Sequence, residues 1–185
     1  MKRMETYEEK TLNRKTIFEG RVITVHLDEV SLPDGKTSTR EIVEHPGAVA
    51  VIAFTDEGKM VMVRQYRKPL NRALVEIPAG KIDRGEQPEA CARRELEEET
   101  GYVCAKLTHL VSFYTSPGFC DEILHIYLAE GLTKAEGRHL DEDEFLDLLE
   151  VTFEEAENLV KRGEIMDAKT IYAWQYWKAL RETGK

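Results

Sequence analysis

GKIDRGEQPEACARRELEEETGY, Gly80 to Tyr102, opens with a glycine-bearing loop and closes on a helix stop at Gly101. Gln87 or Pro88 can begin the helix, because proline fits a first turn, where its missing N–H costs nothing. Glu95, Glu98 and Glu99 stand at i, i+3 and i+4, so their carboxylates share one helical face. Like charges so placed repel by a few tenths of a kcal/mol per pair. A hard divalent cation with oxygen ligands would reverse that sign. A Glu-rich helix taken alone is usually only a solvated face.

The wider spacing changes this reading. Gly80 is followed by five residues, Glu86, seven residues, and then Arg94-Glu95-Leu96-Glu97-Glu98-Glu99-Thr100-Gly101. The pattern resembles the Nudix box, G-x5-E-x7-R-E-U-x-E-E-x-G-U, where U is a bulky aliphatic residue. It departs only at the last position, where Tyr102 is aromatic and a packing role is at stake. The resemblance covers roughly residues 47–185. It implies an α/β protein with a mixed sheet sandwiched between helices, and a magnesium-dependent diphosphate hydrolase, with manganese as an alternative ion. In similar enzymes, carboxylates matching Glu95 and Glu99 bind metal directly, and Glu98 binds one or sits just behind it. The backbone carbonyl of Ala79 is a further ligand by the same resemblance. The resemblance assigns Glu98 and Arg94 to the catalytic machinery, Arg94 as the residue that holds the glutamates by charge-assisted hydrogen bonds. Gly80 allows the tight turn, and Glu86 braces the loop or reaches the metal cluster.

Upstream of the box, 73–77 is a short strand, and 59–67 and 48–54 are strands joined by the turn Asp56-Glu57-Gly58. The run 48–54 is almost continuously apolar, the pattern of burial on both faces. His45-Pro46-Gly47 marks a boundary. Before it, 1–45 reads as an N-terminal β appendage in which 21–27 and 37–43 form a hairpin around the turn Pro33-Asp34-Gly35-Lys36. A two-stranded hairpin is marginal in water, so the appendage needs a surface to pack on, either its own main domain or a second subunit, and a homodimer is expected. The remainder, 46–185, is the hydrolase domain.

Downstream, 102–114 supplies one or two strands, 122–129 another, and 145–151 a last one. Thr152 with Glu155 is a capping box opening a helix to about Lys161. Asp167 caps a final helix through Leu180, with Ala173, Trp174, Trp177 and Leu180 as a core-facing stripe.

Substrate choice is a separate question, because one fold hosts many chemistries. Pro117 lies sixteen residues after Gly101, an offset similar to that of ADP-ribose pyrophosphatases. On the residues alone it is equally a plain turn in Ser116-Pro117-Gly118. Residues 63–67 are similar to a strand of that subfamily whose final arginine, matching Arg67, contacts the diphosphate. Residues 116–122 are similar to its substrate loop, where the glutamate matching Glu122 lies near the site. Glu144 aligns best with the family's catalytic glutamate, a general base on a loop, with Glu142 second. Arg40 would reach the substrate of the partner subunit, on the resemblance to dimers that exchange N-terminal strands. The implied reaction is hydrolysis of ADP-ribose to AMP and ribose 5-phosphate. The alternatives are another nucleoside-diphosphate sugar such as GDP-mannose or ADP-glucose, or an ADP-ribose-binding regulator without catalysis.

Composition sets outer bounds. A chain of 185 residues with 42% hydrophobic and 33% charged residues suits a soluble globular protein. No apolar run is long enough to span a membrane, and 1–16 carries no apolar stretch of a signal peptide. Cys91, Cys104 and Cys120 form no CxxC pair, so free thiols in the cytoplasm are expected. A net charge of −9 argues against wrapping nucleic acid. It also means that an anionic sugar nucleotide needs a metal or local arginines to enter.

Overall fold

In the computed structural model, residues 7–135 and 145–184 are described. They divide into two compact units. One holds the chain up to Gly47 together with Tyr114–Ile123, and the other holds Ala48–Phe113 and the chain from Leu124 onward.

The smaller unit is an antiparallel sheet of β1 (Lys10–Glu19), β2 (Thr24–Ser31) and β3 (Thr37–Glu44), in that order. The two-stranded hairpin expected from sequence therefore gains a third strand. Its first strand also moves from 21–27 to Thr24–Ser31. All ten residues of β1 are exposed, so no burial period marks it in the sequence. It is held instead by pairing with β2 and by a buried charge. Asp28 is fully buried and accepts two bonds from Arg14, Nε and Nη2, each 2.8 Å. Such a forked, charge-assisted contact fixes strand register as well as adding stability. On the far side of β3, Val43 donates to the Phe119 carbonyl at 2.7 Å and accepts from the Asp121 N–H at 3.1 Å.

The larger unit has two sheets. One is ordered β7 (Ala79–Lys81), β4 (Ala48–Ala53), β9 (Ile123–Lys134), β8 (Tyr102–Tyr114), the other β10 (Leu146–Val151), β5 (Met60–Arg67), β6 (Arg72–Glu76). The stretch 102–114 is one strand. β4 runs parallel to β9 and antiparallel to β7, so the sheet is mixed. β4 is buried throughout, and its alternate residues serve two cores. Val49, Val51 and Ala53 pack with Cys91, Ala92 and Leu96 of α1 (Pro88–Thr100). Ala50 and Ile52 pack with Ala156 and Leu159 of α2 (Phe153–Lys161) and with Ala173 and Trp177 of α3 (Ala168–Thr183). Helices thus cover both faces, the sandwich expected from the box. Among the described residues, no helix is long and apolar enough to cross a membrane.

The helix boundaries follow local chemistry. Gln87 is the N-cap of α1, Pro88 is its first residue, and Gly101 closes it in the left-handed conformation with φ 69°. Thr152 and Glu155 form the reciprocal capping box of α2. The Asp167 side chain accepts from the Thr170 N–H at the start of α3.

Candidate active site

Strand β7 and helix α1 build the site. Gly80 pairs with Val49 in β4, which brings the β7 backbone against the acidic face of α1. A Cβ on Gly80 would sit 1.9 Å from the Glu95 carboxylate, so residue 80 has room for no side chain. Glu95 and Glu99 are buried, at 8% and 2% exposure. Glu99 accepts the Ala79 N–H at 3.0 Å, which ties the helix to the strand one residue before Gly80.

Arg94 organises the remaining carboxylates. Its Nη1 donates to Glu95 Oε1 and Glu98 Oε2, both at 2.8 Å. Its Nε and Nη2 grip the two oxygens of Glu86 at 2.9 Å each. Glu86 also accepts the Asp83 N–H at 3.1 Å, closing the loop that leads into α1. The Arg94 guanidinium, opposed by the cost of burial and helped by the Asp83 N–H, holds the Glu86 carboxyl down at about 2. The same bond to Glu86, with those to Glu98 and Glu95, pushes Arg94 further above its already high range. Behind it the Cys91 thiol is pushed up to about 12 by burial and by Glu86, so it is an inert packing group.

Glu95, Glu98, Glu99 and the Ala79 carbonyl carry hard oxygen donors that could hold a cation, and the bare Gly80 leaves room for the Glu95 carboxylate. That donor chemistry suits a hard divalent cation. Among the described residues, no three acidic, histidine or cysteine side chains converge on a single point as a ligand set. Arg94 takes an oxygen of Glu95 and of Glu98, while the Ala79 N–H takes one of Glu99.

Arg67, at the end of β5, lies in the same unit. Its Nε and Nη2 donate to Glu76 at 2.7 and 2.6 Å, and the Glu76 side chain is 2% exposed. Lys169 of α3 donates to the same Glu76 and, at 2.9 Å, to Asp167. Burial pushes Glu76 up, but Arg67 and Lys169 outweigh it and hold the carboxyl at about 2. Neither Glu76 nor Lys169 was singled out from the sequence. The available signal was a lone carboxylate in the otherwise apolar run Ala73-Leu74-Val75-Glu76-Ile77.

Arg40, Pro117 and Glu122 belong to the smaller unit. Arg40 and Pro117 line a groove of about 450 Å³, together with Tyr114 and Phe119. Arg40 is paired with Glu9 through Nε at 2.7 Å and Nη2 at 2.5 Å. Pro117 lies in a turn closed by the Cys120 N–H to the Ser116 carbonyl at 2.9 Å. Glu122 accepts the Thr115 hydroxyl at 2.5 Å and faces His45 Nδ1 at 3.6 Å. Glu144 and Glu142 lie outside the described residues.

The NUDIX domain family matches residues 44–175. The chain belongs to the Nudix family. Residues 9–43 match a second family, the nucleoside diphosphate sugar hydrolase N-terminal domain. The chain is 60% identical to an ADP-ribose pyrophosphatase of Bacillus subtilis strain 168, over 94% of each chain. It is 58% identical to a methanol dehydrogenase activator of Bacillus methanolicus, over 92% of each. A crystal structure of an ADP compounds hydrolase superposes with a TM-score of 0.82 over 96% of each chain, at 23% identity, and shares the fold. Nudix hydrolases in general need a divalent metal. The Nudix box of this chain is therefore the loop, strand β7 and helix α1 described above.

Proposed function

We propose that this Nudix protein hydrolyses the diphosphate of ADP-ribose to AMP and ribose 5-phosphate. The observation that carries the reading is the 60% identity, along nearly the whole of both chains, to the Bacillus subtilis pyrophosphatase. The intact carboxylate face of α1 supports it.

Magnesium is the proposed ion, with manganese as an alternative. Glu95, Glu98, Glu99 and the Ala79 carbonyl would hold it. Once bound, such an ion neutralises diphosphate charge and lowers the pKa of a bound water. The protein's own groups do the rest. Arg94 fixes the carboxylates before substrate arrives, and Arg67 offers a guanidinium to the diphosphate. Glu144, or Glu142 beside it, takes the proton of the attacking water as general base. Pro117 and Glu122 shape the substrate loop.

We also propose a homodimer formed through residues 1–45, in which Arg40 approaches the partner's substrate, with residues 46–185 as the hydrolase domain. Support comes from β1, where Leu12, Ile17 and Phe18 are each more than half exposed. Sedimentation should give twice the chain mass, and a monomer would remove the role of Arg40. Three free thiols suit a reducing cytoplasm.

The test is a panel of ADP-ribose, ADP-glucose, GDP-mannose and NADH with magnesium, following AMP by chromatography. Strong preference for ADP-ribose is expected. Preference for another diphosphate would keep the metal chemistry and discard the substrate. The relative named as a dehydrogenase activator favours one further reading, a regulator of another enzyme. Tight ADP-ribose binding without turnover would favour that regulator.

A further inference from the structure

We propose that Glu76 is a positioning residue of this enzyme, which holds Arg67 in the orientation that receives the substrate diphosphate, with Lys169 completing the clamp. This rests on the reading of Arg67 as a diphosphate contact.

The argument begins with register. β5 and β6 pair Arg67 with Arg72, Gln65 with Leu74 and Val63 with Glu76. Arg67 and Glu76 therefore lie on the same face of the hairpin, because residues two apart on a strand share a face. Glu76 is almost fully buried, and a buried carboxylate must be paired or it is neutralised. Here it is paired twice. Arg67 presents the fork of Nε and Nη2, and Lys169 adds its ammonium.

The anchor does not move easily. The Ile77 N–H donates to the buried Thr170 hydroxyl at 3.1 Å, and the Val75 N–H donates to the Glu164 carbonyl at 2.8 Å. These bonds tie the end of β6 to the segment leading into α3 and to its first turn, where Asp167 and Lys169 lie. The Arg67 side chain is 39% exposed. Among the described residues, its Nη1 makes no hydrogen bond, since Glu76 takes only the other edge. The charge of Glu99 on α1 acts on Arg67 as well, so its guanidinium lies within electrostatic reach of the acidic helix face.

A guanidinium gripped along one edge has its other edge aimed and loses little rotamer freedom on meeting an anion. Glu76 would thereby prepare Arg67 without touching substrate. A lysine at 67 would keep the charge but could not take the fork.

The test compares Arg67→Ala, Arg67→Lys, Glu76→Gln and the double variant Glu76→Gln/Arg67→Ala, with magnesium and ADP-ribose. Thermal melting checks that each is folded. Glu76→Gln and Arg67→Lys should each raise KM about tenfold, with a smaller change in kcat. The double variant should match Arg67→Ala alone, because Glu76 acts through Arg67. If Arg67→Ala keeps a normal KM, the diphosphate reading of Arg67 fails and the positioning role with it. If Arg67→Ala is weakened while Glu76→Gln is native-like, or if the two effects simply add, the positioning role alone is overturned. Should Glu76→Gln fail to fold, Arg67→Lys decides: a near-native KM would show that charge suffices and overturn the proposal.

Discussion

Gly80 and Glu95 compete for one volume: a Cβ on the glycine would lie 1.9 Å from Cδ and Oε1 of the glutamate. The glycine is required here by space, because residue 80 does not occupy the left-handed region of φ. Gly80→Ala should therefore leave the backbone in place and expel the Glu95 side chain. The expected variant melts within several degrees of the parent but loses at least tenfold in magnesium-dependent turnover. Parallel melting and rate measurements check it, and unchanged turnover would refute the close approach.

Glu99→Gln should preserve the fold, because the amide oxygen can still accept the Ala79 N–H. Removing the charge should lower kcat by orders of magnitude. Near-normal rates in a folded variant would sink the metal assignment. A chelator should abolish turnover of the parent, and added magnesium should restore it.

The ion pairs of Glu76 predict an acid-sensitive stability. Its folded carboxyl titrates at about 2, against an ordinary value of 4.5. Since the folded value is depressed, the stabilisation is complete above pH 4.5 and drains away as pH falls towards 2. The amount at stake is on the order of 3 kcal/mol. Denaturant midpoints taken from pH 6 to pH 2.5 should fall more steeply for the parent than for Glu76→Gln.

Thr152→Ala removes the side-chain acceptor of the α2 capping box, where the Glu155 N–H lies 3.2 Å from the hydroxyl. A loss of about 1 kcal/mol in urea unfolding is expected, with KM and kcat unchanged. A change in KM would mean that α2 communicates with the site.

Much of the larger unit could be read directly from local chemistry. Pro88 and Gly101 bound α1, Thr152 opens α2 and Asp167 opens α3, because caps are short-range signals. The acidic face of α1 was equally plain from its spacing. Strand β1 was not, since both its faces are exposed and nothing in Lys10–Glu19 repeats with a strand period. The contact of Glu76 with Lys169 joins residues 93 apart in sequence, and no periodicity encodes a pairing that distant. Nor did the sequence indicate that Tyr114–Ile123 would fold with the N-terminal strands. Its link to Val43 is made by backbone groups, which carry no residue identity.

That link has a consequence for biosynthesis. The outer edge of β3 is satisfied at Val43 by Phe119 and Asp121, residues made some seventy-five codons later. At about 5–20 residues per second, translation leaves this edge unpaired for roughly 4–15 s. During that interval the nascent N-terminal sheet presents an open strand to its surroundings. Its completion waits on a loop that emerges only after the Nudix helix has been synthesised.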